Sequence, residues 1–322
     1  MHPPINSAEH TQQTDILVRV TGGLGNQMFQ YACAKALQLQ TGANVKLDIQ
    51  HSQWHARRPW QLDQFAVSLP VASFRDLNQF CSQPRAELKI KQLDWMAGKA
   101  QSSPIYRKLF RKLLKSNAVH PDRYCIKEAP ENSKLLSTLD SPAYLDGYWQ
   151  NEDYFKTQQN IIRQELTLQT LMSPSAAEFA DKITMLECPI SMHIRRGDYL
   201  SRKVKSMFQV MPMDYYDTAM RLLSSQNSTF VIFSDDMTWV KEKFYSSDYP
   251  LLFVDGVHSG VEDQRLLSMC HHHIIANSTF SWWGAWLGNA KDKKVVAPKH
   301  WGLSESVQHI TQGIIPAEWI RV

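Results

Sequence analysis

The feature that most constrains the fold is a regular alternation that runs from residue 187 to the C-terminus. Short runs of apolar residues alternate there with longer runs whose apolar residues recur at helical spacing. Strands are predicted at 189–194, 229–233, 251–254, 273–276 and 294–297, and helices at 213–223, 237–244, 262–270 and 280–287. Such alternation is typical of a parallel sheet covered by helices. The C-terminal half is therefore predicted to be an α/β domain.

The N-terminal part opens in a similar way. Residues 15–20 predict a strand, 21–27 a glycine-rich turn, 28–40 a helix and 44–49 the next strand, which together begin a βαβ unit. A chain of 322 residues is long for one hydrophobic core, so two domains are expected. We predict a flexible leader at 1–14, a first α/β domain at 15–170 and a second at 171–322.

Composition narrows the location and the partners of the protein. Lysine and arginine total 35 against 31 acidic residues, and so small an excess does not indicate a nucleic-acid partner. Five scattered cysteines without a CxxC pair fit a reducing compartment. No run approaches the roughly 20 apolar residues of a membrane span, and residues 1–14 lack the apolar core of a signal peptide. A cytoplasmic location is expected.

The segment 107–115 is basic and amphipathic. Its apolar residues fall on one helical face and its cations on the other; the apolar residues are Leu109, Phe110, Leu113 and Leu114. One interpretation is a surface helix whose apolar side packs on the domain, and we favour it because such helices are the general case. The other is peripheral contact with an anionic surface such as the inner membrane.

Polar and charged residues follow the predicted strands of the second half. In chain order the loops carry Arg195-Arg196-Gly197-Asp198, Ser234-Asp235-Asp236, Asp255-Gly256 and Asn277-Ser278-Thr279. Ligands of open parallel sheets bind beyond the carboxyl ends of the strands, where these loops meet. Paired arginines beside a Ser/Thr-rich helix start predict an anion-binding site at this edge.

The arginine pair is the sharpest of these features. His193 and Arg195 are two residues apart at the end of a strand, so their side chains should lie on the same face. A guanidinium binds phosphate oxygens bidentately and stabilises the charge that grows on a diphosphate leaving group. The structural alternative is a salt bridge between Arg196 and Asp198, and Asp198 can equally orient Arg195.

Two further segments have both a structural and a functional interpretation. Residues 277–279 precede a predicted helix, so Ser278 and Thr279 are ordinary N-caps, while the free amides of that first turn also suit a phosphate. The tryptophans of that helix are expected to pack in the core; they are Trp282, Trp283 and Trp286. In the loop 22–27 the glycines Gly23 and Gly25 permit close approach of a partner or ligand, and Asn26 and Gln27 add amide donors.

Two sequence patterns could be interpreted as metal-binding sites, and we favour a different interpretation of each. Asp235 and Asp236 are adjacent and no third acid stands near them, so ligand contact or helix capping is preferred. The run 270–273, Cys-His-His-His, lacks the spacing of zinc ligands and is interpreted as a helix end entering a strand. No metal site is predicted.

The ordered motifs resemble those of bacterial α-1,2-fucosyltransferases, glycosyltransferase family 11. The resemblance runs from about residue 15 to the C-terminus and rests on five segments, 22–32, 193–199, 211–216, 233–236 and 276–287. It implies a GT-B-like fold, with two Rossmann-like domains facing a cleft. It also implies inverting, metal-independent transfer from GDP-β-L-fucose. GDP-fucose would be a donor substrate, so no cofactor is expected.

The resemblance also assigns roles to individual residues. Arg195 would hold the diphosphate, His193 would contact the nucleotide, and Asn26 would lie at the reacting centre. Asp263 would stand near guanine. The remaining residues expected to bind the donor are Gly23, Gly25, Arg196, Ser234, Asp235, Asn277, Ser278 and Thr279.

The resulting hypothesis is transfer of fucose to O2 of a terminal β-galactoside on an oligosaccharide. Arg195, Asn26 and Asp198 are the predicted catalytic residues. Asp198 and Asp235 are candidates for a general base, and neither is assigned that role. Two alternatives stay open at this stage. One is transfer from another GDP-sugar, and the other is a non-catalytic protein that binds glycans or polyanions.

Overall fold

The computed structural model describes residues 14–53, 58–82, 86–115, 121–129, 136, 138–139, 141–202, 204–256 and 258–322. Apart from Thr14, the predicted leader lies outside these residues. Two parallel sheets organise the chain, and helices cover them. Within the described ranges, no helix combines the length and the hydrophobicity that crossing a bilayer requires.

The first sheet has four parallel strands in the order β2-β1-β4-β3. They are β1 (Asp15–Arg19), β2 (Asn44–Asp48), β3 (Cys125–Lys127) and β4 (Ala143–Asp146). Helix α1 (Leu24–Thr41) connects β1 to β2 and is buried along most of its length. It begins four residues before the predicted start because Gly23, with extended backbone angles, already serves as its N-cap. Gly42 ends it in the left-handed conformation that favours glycine.

Among the residues described between β2 and β4 are the helices α2 (Gln50–Gln53), α3 (Ala86–Ser102) and α4 (Pro104–Lys115). Helix α4 contains the basic segment and packs beside α3, with Phe110 fully buried against Phe74 at a ring distance of 5.9 Å. The prediction that Leu109 shares this buried face is wrong, because Leu109 is 50% exposed. Consecutive helical residues are about 100° apart, and Leu109 turns outward with Ile105.

The second sheet has six parallel strands in the order β10-β9-β8-β5-β6-β7. They are β5 (Cys188–Ile194), β6 (Ser228–Ser234), β7 (Leu251–Phe253), β8 (His272–Ile274), β9 (Val295–Ala297) and β10 (Ile320–Arg321). Helix α5 (Gln159–Glu165) precedes this sheet in the chain and contacts α1, with Glu165 Oε1 3.0 Å from Lys35 Nζ. The helices that follow are α6 (Pro174–Thr184), α7 (Met213–Leu223), α8 (Met237–Lys243), α9 (Gly260–Ser268), α10 (Thr279–Leu287) and α11 (Glu305–Ile310). The five predicted strands and four predicted helices of this half are confirmed. Counted outward from β5, this is the strand order of a doubly wound Rossmann sheet.

An aromatic cluster joins the two halves. Phe29 of α1 lies 4.5 Å from the ring of Trp282 and 5.0 Å from that of Trp283, both on α10. Phe155 stacks on Trp283 at 5.5 Å and meets Trp286 edge-on. The three tryptophans are at most 4% exposed, which confirms that they pack in the core. Two α/β units joined in this way match the predicted GT-B-like architecture.

Candidate active site

The two sheets bring four loops to one place. In the second sheet β5 lies between β6 and β8, so the strand order reverses between β5 and β8, and the loops after these strands are 195–198 and 277–279. In the first sheet the order reverses between β1 and β4, which are followed by 20–23 and 147–150. Crevices for ligands form at such reversal points. The two points face each other, since Asn26 Oδ1 accepts a hydrogen bond of 2.9 Å from Thr279 Oγ1.

Arg195 is held between two carboxylates at the end of β5. Its Nη2 lies 2.7 Å from Asp198 Oδ1, and its Nη1 lies 2.7 Å from Asp235 Oδ2. The other oxygen of Asp198 lies 3.2 Å from Nη2 of Arg58, which belongs to the first half of the chain. The Arg195 side chain remains 30% exposed. The loop therefore presents an oriented guanidinium to the crevice.

Arg196 contacts other protein side chains and holds the loop in place. Its Nε donates to Asp236 at 2.9 Å and its guanidinium lies 3.7 Å above the Trp239 ring. The structural alternative of an Arg196–Asp198 salt bridge is wrong, and Asp198 pairs with Arg195, which was the other possibility. Asp198 lies in a short 3-10 turn that returns toward Arg195, whereas Arg196 points toward α8.

Asp235 and its neighbours shape this loop. Asp235 Oδ1 accepts from the amides of Arg196 and Gly197 at 2.9 and 3.1 Å. A Cβ on Gly197 would stand 2.4 Å from Asp235 Oδ2, so no larger residue fits there without movement. Asp236 caps α8 by accepting from the Trp239 amide, and Ser234 Oγ accepts from the Asp236 amide at 3.0 Å. Ser234 thus supports the cap from the end of β6.

His193 is the penultimate residue of β5, and it is buried, with 4% of its surface exposed. Burial, reinforced by the Arg195 charge, holds the pKa of its imidazole well below the usual range, so the ring is neutral. Its ring lies 5.5 Å from that of Phe280, and its Nδ1 finds no hydrogen-bond partner in the part of the chain that is described. A neutral ring with a free nitrogen can accept from or donate to a ligand.

The start of α10 differs from an ordinary capped helix. Ser278 occupies the N-cap position, yet its side chain makes no capping hydrogen bond, which corrects the prediction for that residue. Thr279 Oγ1 reaches across to Asn26 instead, and Asn277 Nδ2 donates to the carbonyls of Gln209 and Trp301 at 3.1 Å. Asn277 therefore anchors the loop with its side chain. Among the described residues, no side chain caps the amides of the first turn of α10, which is a favourable place for negative charge.

The glycines of the first loop serve different purposes. Gly22 has φ of +87°, a conformation that favours glycine. A Cβ on Gly25 would lie 2.5 to 2.7 Å from backbone atoms of Thr279 and Phe280, so the partner that approaches Gly25 is the other half of the chain. A Cβ on Gly23 would meet nothing within 4 Å. Gln27 is buried and donates to the carbonyls of Gly22 and Pro59, so its predicted donors are used internally.

Comparison with known proteins identifies the family. Residues 15–322 match the profile of Glycosyl transferase family 11. The chain belongs to this family. It is accordingly a glycosyltransferase, and the alternative of a non-catalytic binder is set aside.

Among its relatives, an alpha-1,2-colitosyltransferase of Escherichia coli is 28% identical over 95% of this chain and 98% of that protein. The galactoside 2-alpha-L-fucosyltransferase SEC1 of Bos taurus is 29% identical over 44% of this chain and 41% of that protein. Among solved structures, the fucosyltransferase NodZ from Bradyrhizobium is 14% identical, with a TM-score of 0.46, over 85% of this chain and 93% of that one.

In this family 11 transferase, Asp263 lies on the first turn of α9. Its Oδ1 stands 2.8 Å from Nδ1 of the buried His258, and burial raises the pKa of the Asp263 carboxyl. The neighbouring Glu262 forms a capping box with Ser259 and also accepts from the amide of Ser173. Asp263 is thus a partly buried carboxylate on a helix start that is fixed from both sides.

Gln150 is a functional candidate that sequence reasoning missed. Its Nε2 donates to Asn26 Oδ1 at 3.0 Å, and it is 9% exposed. The available signal was the position of residues 147–150 directly after β4, at the reversal point of the first sheet. The rule that located the loops of the second sheet applies there equally.

The histidine run of this transferase lies away from the site. Helix α9 ends at Ser268 and β8 begins at His272, which confirms a helix end entering a strand. Ligand atoms of His271, His272 and Asp292 lie within 4.8 Å of one another. They stand at the amino end of β8, whereas Asn277 follows its carboxyl end. These residues take no part in the crevice.

Proposed function

We propose that this family 11 transferase moves L-fucose from GDP-β-L-fucose to O2 of a terminal β-galactoside and forms an α-1,2 link with inversion. The proposal includes no metal ion and no other cofactor. The observation that carries it is Arg195, oriented by two carboxylates at the reversal point of the second sheet and opposite Asn26. The names of the two relatives support an α-1,2 link, and that of the Bos taurus relative supports fucose and a galactoside.

Arg195 is suited to the diphosphate of the donor. A guanidinium has five N–H donors, and the two carboxylates engage Nη1 and Nη2, which leaves donors for phosphate oxygens. The uncapped first turn of α10 adds backbone amides and a partial positive charge. As the bond between the anomeric carbon and the phosphate oxygen breaks, these groups stabilise the charge on the departing GDP.

The acceptor side of the reaction is assigned to the first half of the chain. The galactose O2 attacks the anomeric carbon from the face opposite GDP, so the configuration inverts; the bond from that carbon to the phosphate oxygen breaks, GDP leaves with the electron pair, and the hydroxyl proton is released to water. We assign Asn26 to contact with the sugar under transfer; the assignment is supported by its position on the first turn of α1, which contacts the first turn of α10. Asp198 orients Arg195 and is bridged to Arg58 of the first half. Asp263 is assigned to guanine and His193 to the nucleotide.

A second donor has specific support. The colitosyltransferase relative covers nearly the whole chain, and colitose is fucose without its 3-hydroxyl. Purified enzyme should therefore be assayed with GDP-fucose, GDP-colitose and GDP-mannose, each with lactose and a panel of galactosides. Mass spectrometry identifies the product, and the linkage follows from its fragmentation. Product from GDP-colitose but none from GDP-fucose would replace the proposed donor.

The role of Arg195 is tested by Arg195→Ala and Arg195→Lys. We expect Arg195→Ala to lose at least about 100-fold in kcat, and Arg195→Lys to recover only part because its ammonium cannot form the fork. Arg221→Ala, an exposed arginine on α7, is the matched control and should keep wild-type turnover. Circular dichroism establishes folding. An Arg195→Ala protein that is folded and turns over at the wild-type rate would refute the assignment.

A further inference from the structure

The side chain of Asn26 is fixed by two donors on a single oxygen. Its Oδ1 accepts from Thr279 Oγ1 at 2.9 Å and from Gln150 Nε2 at 3.0 Å. The Thr279 hydroxyl can donate or accept, whereas the Gln150 NH2 group can only donate, so turning the Asn26 amide over would set two NH2 groups against each other and lose the bond from Gln150. Asn26 Nδ2, in contrast, donates to no residue that the structure describes. The free NH2 group of a partly exposed side chain is therefore held in one orientation.

Gln150 is itself held firmly. Its backbone amide donates to Glu128 Oε1 at 2.9 Å, and the amide of Tyr148 donates to Glu128 Oε2 at 2.6 Å. Between them Trp149 is fully buried and has φ of +57°, a conformation that is uncommon outside glycine. Backbone outliers of this kind persist where the surroundings determine them strongly. The loop after β4 thus holds the side-chain amide of Gln150 within hydrogen-bond distance of Asn26.

We propose that Gln150 is a positioning residue that fixes the Asn26 carboxamide with its NH2 group toward the sugar under transfer. This inference rests on the proposed function, because it takes Asn26 to act at the reacting centre. Gln150 acts through Asn26 and touches no substrate. Thr279, at the start of α10 in the second half of the chain, supplies the other hydrogen bond to Asn26 Oδ1, and we call these two hydrogen bonds the Asn26 clamp.

The decisive variant is Gln150→Glu, which keeps the shape and changes the hydrogen bond. An ionised carboxylate only accepts, so Asn26 must turn its amide nitrogen toward it and away from the crevice. A protonated carboxyl carries an O–H and can donate to Asn26 again. Since burial raises the pKa of a carboxyl above its usual value near 4.3, the change is expected to fall between about pH 5 and pH 8.

The assay is steady-state transfer by the full chain across this pH range. At about pH 8 we expect Gln150→Glu to lower kcat by about 10- to 100-fold with KM for the donor within about threefold. The ratio of variant to wild-type kcat should recover by at least about fivefold near pH 5. Gln150→Met, which removes the donor and does not titrate, should stay low at every pH. A flat ratio for Gln150→Glu, or kcat within about twofold of wild type for Gln150→Met, would overturn the proposal.

Two measures keep the outcome clear. If the Gln150→Glu chain fails to fold, Thr279→Val and Thr279→Ser test the clamp from the other side, because only the serine retains the hydroxyl. Equal turnover of these two variants would then count against the clamp. If the wild-type protein makes no product from GDP-fucose, the proposed donor fails, and the same variants are measured with whichever GDP-sugar the donor panel identifies.

An independent observation concerns the outer face of α3 and α4. Large apolar side chains are exposed there, with Trp95 58%, Ile105 73% and Leu109 50% accessible. Ile105 and Leu109 are four residues apart and share a side of α4. Lys99 Nζ stands 4.9 Å above the Trp95 ring and 5.6 Å above that of Tyr106. The face therefore combines apolar groups with cations.

The charges on the α4 part of this face have one sign. Residues 103–118 include five lysines and arginines and no acidic residue, and Arg107 and Lys108 are exposed. Exposed aromatic and aliphatic side chains with neighbouring cations suit the headgroup region of an anionic bilayer. We infer that this face docks on an anionic lipid surface, while Phe110 on the opposite side of α4 holds the helix to the domain.

Co-sedimentation with vesicles tests this surface. Wild-type protein should sediment with vesicles of phosphatidylglycerol and phosphatidylcholine and stay in solution with phosphatidylcholine alone. Ile105→Ser with Leu109→Ser, or Lys99→Glu with Lys108→Glu, should reduce the bound fraction about fivefold or more. Leu171→Ser is the matched control, since Leu171 is 97% exposed and belongs to neither α3 nor α4. Absence of wild-type binding, unchanged binding of the variants, or self-association through this face by light scattering would overturn the inference.

Discussion

Replacing Gly25 by alanine tests how closely the two halves must approach. The added Cβ would lie 2.5 Å from the carbonyl carbon of Thr279 and 2.7 Å from the Phe280 amide nitrogen. Ordinary carbon contacts need about 3.5 Å, so α1 and α10 must separate by about 1 Å. That movement would also stretch the Asn26–Thr279 hydrogen bond.

The magnitude follows from three contributions. Overpacking costs about 1–3 kcal/mol, the lost hydrogen bond costs about 1 kcal/mol, and alanine in a helix returns at most about 1 kcal/mol. Gly25→Ala should therefore lower the free energy of unfolding by about 1–3 kcal/mol and reduce kcat. Urea denaturation followed by tryptophan fluorescence and a GDP-release assay measure both quantities.

Gly23→Ala is the matched control for this experiment. Its Cβ would meet no atom within 4 Å and its φ is −77°, so alanine fits at the cost of a weaker N-cap, below about 1 kcal/mol. Equal unfolding free energies for the two variants, together with wild-type turnover of Gly25→Ala, would refute the reasoning.

Three further predictions concern the core and two carboxylates. Phe29→Ala should cost about 3–5 kcal/mol and leave a single urea transition, because Phe29 packs against Trp282 across the two halves; two separate transitions would contradict a shared core. Burial raises the pKa of Glu262, but hydrogen bonds from Ser173 and Ser259 outweigh it and lower the value to about 2. Its contribution to stability is therefore present above about pH 4.5 and lost as the pH falls toward 2, and urea titrations of Glu262→Gln should lack this dependence. Burial raises the pKa of Asp263. Initial rates should therefore show the donor KM rising as the pH falls from about 7 to about 5, and Asp263→Asn should remove that rise. An identical pH profile in the variant would count against contact of Asp263 with guanine.

Local periodicity predicts five of the six strands of the second sheet, and the sixth, β10, has only two residues, too few to show a period. Its strands are short apolar runs that alternate with amphipathic helices, and both periods are properties of neighbouring residues. The loop that contains Arg195 followed from the rule that ligands bind beyond the carboxyl ends of parallel strands. The same rule does not locate Gln150 from the sequence, because α3 and α4 interrupt the alternation of strands and helices before β4.

Details of the site depend on contacts between distant parts of the chain. Gly25 permits the approach of Thr279, which is 254 residues further along, and no local pattern indicates that partner. Ser278 has the residue type of an N-cap, but its side chain makes no capping bond. Asp198 pairs with Arg195 instead of Arg196 because the turn after β5 determines which side chain it faces. Residue type indicates what a group can do, and tertiary structure determines which partner it meets.

The most direct test of the central claim is a crystal structure of the enzyme with GDP. The account predicts that the diphosphate lies within hydrogen-bond distance of the Arg195 guanidinium and of the first-turn amides of α10, with guanine beside Asp263. A diphosphate bound in another part of the chain, with Arg195 still enclosed between Asp198 and Asp235 and contacting no ligand atom, would contradict it.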